Sequence, residues 1–351
     1  MPSAQLSNST IQSFQSSDSL RYSILTEVHE ITSIALEWDS LLAQSPCNRA
    51  FSCSKWYLAT PCVLPEAKPL VIVARRDGAL VGILPLWLDL TRKEAGFPDD
   101  YSDHLDIIAA DNDLETITGL LQVARQGPAS YEKLVLKHIK SDSNCARGAR
   151  VLGLRHDLDE AFAPQNSLAY AVLDLTGGYD EYSKSLSRKF RLNLNRMRSK
   201  AQRDGVIVRE LGPEDLPPES LPGLFLSLHE NRFSKGTSLK SVCKSPEAWI
   251  HQLFPCLFAE RRIRVFAIFY KNKIAGIDLA TVTKAGMYGW NGGFLPEIAG
   301  YDPGKLLIHK AIQQCCLENL SEYDLGWFGQ AYKAHWKPAI RYIGELQFET
   351  Y

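Results

Sequence analysis

The sequence lacks several things, and each absence removes a class of function. Its 351 residues include eight cysteines but no C-x-x-C pair, so metal-ligand spacing is missing and no metal is expected. The thiols (Cys47, Cys53, Cys62, Cys145, Cys243, Cys256, Cys315, Cys316) read as reduced, mostly buried as small apolar residues. No run approaches the roughly 18 consecutive apolar residues of a membrane span. Met1 to Ser19 is rich in Ser and Gln and lacks the basic-then-apolar plan of a secretory signal. It reads as a disordered tail, and the expected compartment is cytoplasmic. Charge of one sign is also missing, because 39 Lys and Arg stand against 40 Asp and Glu, a formal net charge of -1. General binding to nucleic acid or membrane by charge is thereby excluded, and any basic feature is local. What remains is an ordinary globular composition, 45% hydrophobic and 23% charged, long enough for two domains or one long one.

Two segments share a plan. Val71 to Ile83 and Val265 to Ile277 each read as strand, tight polar turn, strand. Asp77-Gly78 and Lys271-Asn272 supply the turns. Gly82 and Gly276 fall at matching places, 194 residues apart like the segments themselves (276 − 82 and 265 − 71). A lone glycine in a strand marks a bulge or a close backbone approach. The flanks repeat too. The first half reads strand (Tyr22 to Val28), helix (Ile31 to Ala43), short helix (Cys53 to Thr60), hairpin, strand (Leu105 to Ala110), helix (Leu114 to Arg125), strand (Leu134 to Lys137), an irregular helical piece, and strand (Leu168 to Leu175). The second reads strand (Val206 to Leu211), helices (Leu221 to Asn231, Pro246 to Glu260), hairpin, strand (Met287 to Leu295), helix (Pro303 to Asn319), strand (Tyr323 to Trp327), short helix (Gln330 to Trp336) and strand (Arg341 to Phe348). This predicts a duplicated α/β unit, with a tail at 1–19 and repeats at 20–176 and 177–351.

One long helix is expected to join the halves, from Asp180 to just before Gly205. Leu186, Phe190, Leu194, Met197 and Ala201 recur on one face, and the other face is basic (Lys184, Arg188, Lys189, Arg191, Arg196, Arg198, Lys200, Arg203). Such a charge run is by default a solvated face paired with acids elsewhere. The helix start at Tyr301-Asp302-Pro303-Gly304-Lys305-Leu306-Leu307 is the most telling stretch. Asp302 is suited to cap, Pro303 fits the first turn, and Gly304 admits a close approach to the backbone. Free N–H groups and the positive end of a dipole make such a tip a phosphate site. The first half has no equivalent: Asp111 to Leu114 offers a capping Asp113 and no glycine.

Ser185 to Arg191, Leu228-His229-Glu230-Asn231-Arg232-Phe233 with Gly236 behind it, Tyr301 to Leu307, and Asp324-Leu325-Gly326-Trp327-Phe328-Gly329-Gln330-Ala331-Tyr332-Lys333 with Trp336 occur in this order. Together they resemble the BioF2-like/CelD-like branch of the GNAT acyltransferases, which is similar to the FemAB group. The resemblance implies tandem GNAT-like repeats, each a mixed, mostly antiparallel sheet flanked by helices. It also implies acyl transfer from a phosphate-bearing donor, usually acyl-CoA, to an amine or hydroxyl. In Fem relatives the donor is an aminoacyl-tRNA. One departure is plain: of the usual Arg/Gln-x-x-Gly-x-Gly/Ala loop only Pro303-Gly304 remains.

On this reading Pro303, Gly304, Lys305, Leu306 and Leu307 hold the donor pyrophosphate, while Gly292, Gly293, Phe294 and Leu295 bind its arm through backbone groups. His229 or Asp324 removes the amine proton, Tyr332 protonates the departing thiolate, and Lys333 touches the donor phosphates. Arg191, Arg232, Trp290, Asn291 and Tyr301 contact substrate. Each residue also has a plain reading: a capped helix with no ligand, a sheet edge twisting at glycine, a helix-end histidine, a buried aspartate on backbone amides, packing aromatics. Asp278 and the loop Tyr101-Ser102-Asp103-His104, bordering an acceptor cleft, are weaker candidates, and His104 reads as a satisfied loop histidine. The function expected is an acyl-CoA-dependent N-acyltransferase acting on a peptide side chain, an amino sugar or a small amine. The alternatives are a Fem-like aminoacyl-tRNA-dependent transferase, the only reading with a nucleic-acid partner, and a non-catalytic module with a degenerate GNAT site.

Overall fold

Thirteen strands form a single sheet in the computed structural model, which describes residues 20–44, 51–98, 102–110, 112–126, 131–154, 158–165, 167–233 and 246–350. The expected tail, Cys47, Tyr101, Gly236 and Cys243 lie outside the described residues, as does the side chain of Arg232. The first half contributes β1 (Leu20–Leu25), α1 (Val28–Ser33), α2 (Ala35–Gln44), α3 (Ser54–Ala59), β2 (Lys68–Arg76), β3 (Ala79–Asp89), β4 (Glu94–Gly96), β5 (Ile108–Ala109), α4 (Leu114–Arg125), β6 (Lys133–Lys140), α5 (Asn144–Val151), α6 (Leu158–Ala161) and β7 (Leu168–Asp174). The second contributes α7 (Gly178–Ser185), α8 (Arg188–Arg203), β8 (Ile207–Leu211), α9 (Leu221–Phe233), α10 (Pro246–Ala259), β9 (Ile263–Tyr270), β10 (Lys273–Val282), β11 (Gly286–Phe294), α11 (Pro303–Leu317), β12 (Glu322–Trp327) and β13 (Ala339–Glu349).

The strand order is β1-β2-β3-β4-β6-β13-β7-β12-β11-β10-β9-β8, with β5 on β3. Neighbours are antiparallel except β4–β6 and β11–β12. Both hairpins carry the expected bulge at the same place. Ala74 faces Gly82 while Arg75 faces Leu80, and Ile268 faces Gly276 while Phe269 faces Ile274. The centre of the sheet is exchanged. β13 lies between the first-half strands β6 and β7, and β7 lies between the second-half strands β13 and β12. Each half therefore covers a sheet edge the other would leave open.

Strand β9 is apolar from Val265 to Phe269 because both its faces are covered there. Val265 and Ala267 pack into the cluster holding Phe225, Trp249 and Phe254 of α9 and α10. Phe266 and Ile268 pack into the opposite cluster with Phe190 of α8 and Leu307 of α11. The long linking helix is two helices. Leu186 is extended (ψ 150°), and Ser187 caps α8 by accepting from Phe190 N at 3.2 Å. The apolar stripe survives the break, with Leu186, Phe190, Leu194, Met197 and Ala201 all buried. Gly205 ends α8 as expected, at φ +73°. The helix expected over Ile31 to Ala43 is likewise two, separated at Ile34. Of the six described cysteines, three are buried, two intermediate and Cys256 exposed, so burial is less general than expected.

Candidate active site

Strands β11 and β12 touch over only three register pairs, Gly286 with Glu322, Met287 with Tyr323 and Tyr288 with Asp324. Beyond them the strands part. β11 stays with β10 as far as Phe294. β12 turns toward β7, where Gly326 takes φ +74°, Trp327 faces Tyr170, and Phe328 N donates to Ala169 O at 2.7 Å. The result is a gap in an otherwise continuous sheet, bounded by residues 289–294 and 325–327.

Lys333 is placed by the 3-10 turn Ala331–Trp336, which follows β12. In such a turn residues three apart share a face, so Lys333 and Trp336 both point inward. Trp336 is fully buried against Phe190, with ring centroids 5.0 Å apart. Lys333 is only 5% exposed, and its Nζ donates to Trp327 O at 2.6 Å. The ammonium lies 3.9 Å from a Cβ built on Gly326 and 6.0 Å from the Tyr332 ring centre, so it stands beside the gap.

The two helix starts that correspond in the halves differ. At α4 the Asp113 side chain caps, accepting from Thr116 N at 3.2 Å, while Arg76 pairs with its carboxylate at 3.1 Å. At α11 the residue expected to cap does not. Asp302 adopts the left-handed conformation (φ 54°, ψ 57°), makes no side-chain cap, and accepts Lys305 Nζ at 3.1 Å instead. A left-handed N-cap turns its side chain away from the amides it would need to reach. Lys305 N and Leu306 N reach back to Asp302 O at 3.0 and 3.2 Å. On the Cβ side of Gly304 nothing lies within 4 Å. Asp113→Ala should therefore cost about 1 kcal/mol in urea unfolding. Asp302→Gly should cost almost nothing, since glycine accepts that backbone freely.

Asp324 meets the first half on the other face of the sheet. Its neighbours Tyr323 and Leu325 face the α8/α11 cluster, so Asp324 faces away from it. There Oδ2 lies 2.8 Å from His104 Nε2, with both side chains at most 2% exposed, and Oδ1 accepts Gly326 N at 2.7 Å. The His104 ring packs on Tyr170 and Tyr288 at 5.1 and 5.3 Å. Beside it, burial pushes the Asp103 carboxyl up, but His138, His104 and Tyr170 together hold it below its ordinary value. Nothing in the residues around position 104 announced this pairing, because the partner lies 220 residues further on (324 − 104).

Residues 188–334 match the family model described as an acetyltransferase (GNAT) domain. FemX, 12% identical, superposes with a TM-score of 0.62 over 93% of this chain and 97% of its own. The chain has a tandem GNAT fold of the Fem type. L-PGS from Bacillus licheniformis (10% identity, TM-score 0.56) covers 89% of this chain and 90% of its own. The C-terminal domain of an Agrobacterium fabrum protein assigned as a lysylphosphatidylglycerol synthetase (13% identity, TM-score 0.55) covers 90% and 91%. No curated protein matches. The domain over 188–334 is an acyltransferase domain.

Within this GNAT frame the other expected site residues separate into groups. Gly293 is a packing residue: a Cβ there would lie 2.3 Å from the Leu228 carbonyl and 2.4 Å from His229 N, so α9 rests directly on β11. His229 is itself buried, 5.3 Å from the Phe225 ring. Trp290 belongs to the same aromatic cluster, 5.6 Å from Phe225 and 5.3 Å from Phe254. Asn291 accepts Gly292 N through its own side chain at 2.9 Å. Leu295 N donates to Ala275 O at 2.8 Å, and Phe294 pairs in register with Gly276. Arg191 closes the end of α7, donating to Ser183 O, Lys184 O and Leu186 O at 3.3, 2.8 and 2.8 Å. Tyr301 donates to Asp204 Oδ2 at 3.0 Å, which raises its hydroxyl pKa, and Lys200 stands over its ring at 4.8 Å. Pro303, Leu306 and Leu307 are buried, leaving Gly304 and Lys305 at the tip. Gly304 and Lys305 thus stand at the tip of α11, Tyr332 and Lys333 in the turn that follows β12, and Asp324 on the opposite face of β12. His229, Trp290 and Gly293 group separately, behind β11.

Proposed function

We propose that the protein is an acyl-CoA-dependent N-acyltransferase, carrying an acyl group from a CoA thioester to an amine, with the donor bound only in the second repeat. The observation that carries this reading is the contrast between the two helix starts: α4 is closed by its own aspartate and an arginine, whereas α11 leaves the surface at Gly304 open. A pyrophosphate at that tip meets the N-terminal end of the α11 dipole and the Lys305 ammonium. The arm then runs along residues 289–294 into the gap. There the thioester carbonyl comes beside the Lys333 ammonium, which stabilises the negative charge that develops on oxygen. The edge of β11 beyond Tyr288 receives the arm, and Tyr332 beside Lys333 protonates the thiolate. Positioning across the sheet supplies most of the acceleration. The amine acceptor is a peptide side chain, an amino sugar or a small amine.

Calorimetry with acetyl-CoA and CoA tests the donor. Gly304→Glu should weaken binding at least 100-fold, because a carboxylate occupies the phosphate position. The same change should leave the fold intact, since an acid at a helix start is favourable. Gly304→Ala should bind nearly as the parent does. If the parent protein binds neither ligand, the acyl-CoA reading fails.

One observation favours a second reading, the Fem-like use of an aminoacyl-tRNA. On α7 and α8 the exposed Lys184, Arg188, Lys189, Arg196, Arg198, Lys200 and Arg203 form no ion pair among the described residues. The expected pairing with acids elsewhere is thus not seen there. Binding of tRNA that falls steeply with salt, in a protein indifferent to acetyl-CoA, would select this reading.

A further inference from the structure

We propose that the amine acceptor enters a cleft at the seam between the two repeats, and that His104 takes its proton while Asp324 holds the imidazole in place. The inference rests on the acyl-transfer reading above and adds to it the acceptor site and the base. The cleft has a volume of about 210 Å³, enough for one small side chain or its amine end. Its walls come from both halves: His104, Lys140 and Asp142 from the first, Glu322 and Arg341 from the second. It lies beside the starts of β11 and β12, at Ala285, Ser321 and Glu322, and His104 in its wall reaches the last paired residues before the gap, Tyr288 and Asp324.

The chemistry follows from which groups are already satisfied. Asp324 Oδ1 accepts Gly326 N, while its Oδ2 lies 2.8 Å from His104 Nε2 as an ion-pair contact without an aligned hydrogen bond among the described residues. A carboxylate can only accept, so its closeness to Nε2 favours the tautomer with the proton there and the lone pair on Nδ1. That Nδ1 is buried and has no hydrogen-bond partner among the described residues. An unmatched acceptor buried in this way is costly unless a ligand meets it. His104 also holds a left-handed backbone (φ 57°), an uncommon conformation for a non-glycine residue. The groups facing it are Asp324, Tyr170 and Tyr288 from the sheet, Asp103 from its own loop, and Lys140, Asp142, Glu322 and Arg341 around the cleft. Glu322 is occupied by Arg341 at 2.6 Å and by Tyr288 at 2.9 Å. Asp106, also in the wall, is held by Ile107 N, Asn144 N and Cys145 N, which leaves Asp142 and Lys140 as the wall charges that face an incoming amine and an attached carboxylate, as in an amino acid.

The step balances without a further reactant. The neutral amine nitrogen attacks the thioester carbonyl carbon, forming C–N. The nitrogen's proton passes to His104 Nδ1, giving an imidazolium that Asp324 stabilises. The C–S bond breaks, the thiolate takes a proton, and His104 returns its own to solvent.

The test uses full-length protein labelled with 15N in histidine. His104 is assigned by the loss of its signals in His104→Asn, a change that keeps a residue tolerant of left-handed backbone. The expected spectrum shows a protonated Nε2 and a bare Nδ1, and L-lysine added to the protein should shift Nδ1. A protonated Nδ1, or no shift with L-lysine or glucosamine at 100 mM, overturns the proposal. In acetyl transfer to L-lysine, His104→Asn should lower kcat by about 10²- to 10³-fold and abolish the limb of the pH profile that the imidazole sets. Acetyl-CoA binding should be unchanged in the same variant. Asp324→Asn should change the His104 tautomer and lower kcat similarly. An unaltered kcat and pH profile in a folded His104→Asn protein also overturns the proposal. Failure of the acyl-CoA reading would show separately, as absent acetyl-CoA binding in every variant, and leaves the NMR outcome decisive.

Discussion

Gly293→Ala should destabilise the protein by about 3 kcal/mol and lower its melting temperature by roughly 4 °C. The added methyl has no side chain to push aside. It would meet the backbone of α9 at the Leu228 carbonyl (2.3 Å) and at His229 N (2.4 Å). Backbone in a helical turn cannot rotate away, so α9 must lift off β11 as a unit. Lifting it opens the aromatic cluster of Phe225, Trp249, Phe254 and Trp290. Tryptophan emission should therefore change along with the melting temperature. Gly304→Ala supplies the control, because nothing stands within 4 Å of the new methyl and alanine is the better helix former. A Gly293→Ala protein as stable as the parent would show that the close contact between α9 and β11 is not what the glycine serves.

A second large effect concerns acid. His309 on α11 is 3% exposed and pairs through Nε2 with Tyr179 OH at 2.5 Å. Burial, reinforced by Arg198 and Lys310, lowers its pKa from 6.5 to about 4. The unfolded chain therefore binds a proton at His309 across pH 6.5 to 4 where the folded protein does not. By linkage, the stability that the neutral imidazole allows is complete above about pH 6.5 and is lost as pH falls toward 4. The loss is on the order of 3 kcal/mol. His309→Gln keeps an acceptor for Tyr179 and removes the titration. Urea midpoints of the two proteins should run in parallel above pH 7 and diverge toward pH 4, with the parent falling faster. Curves that stay parallel throughout would place the acid sensitivity elsewhere.

The GNAT units themselves were readable because their signals are local. The paired hairpins announce themselves by period-two apolar runs around Asp77-Gly78 and Lys271-Asn272, and the bulges fall at Gly82 and Gly276 as a strand glycine suggests. The apolar stripe from Leu186 to Ala201 is buried residue for residue. The helix break beneath it was not readable, although its cause is also local. Ser187 satisfies Phe190 N, and Arg191 satisfies the carbonyls at the end of α7, so two short capped helices replace one continuous one. No proline or glycine marks the place, and a serine within a helical pattern is ambiguous. At the tip of α11 the opposite error arose. Asp302 has the right identity for a cap but the wrong backbone, and its carboxylate pairs with Lys305.

Composition, turn chemistry and apolar spacing were enough to establish a duplicated α/β chain with a helix start at Pro303 in its second half, because each depends on residues within a few positions of one another. Three features had no such local source. They are the exchange of β7 and β13 across the middle of the sheet, the approach of α9 to Gly293, and the meeting of His104 with Asp324. Each joins segments that a chain brings together only when its core closes, and the pairings are selected by burial and shape over long separations that no sequence window contains.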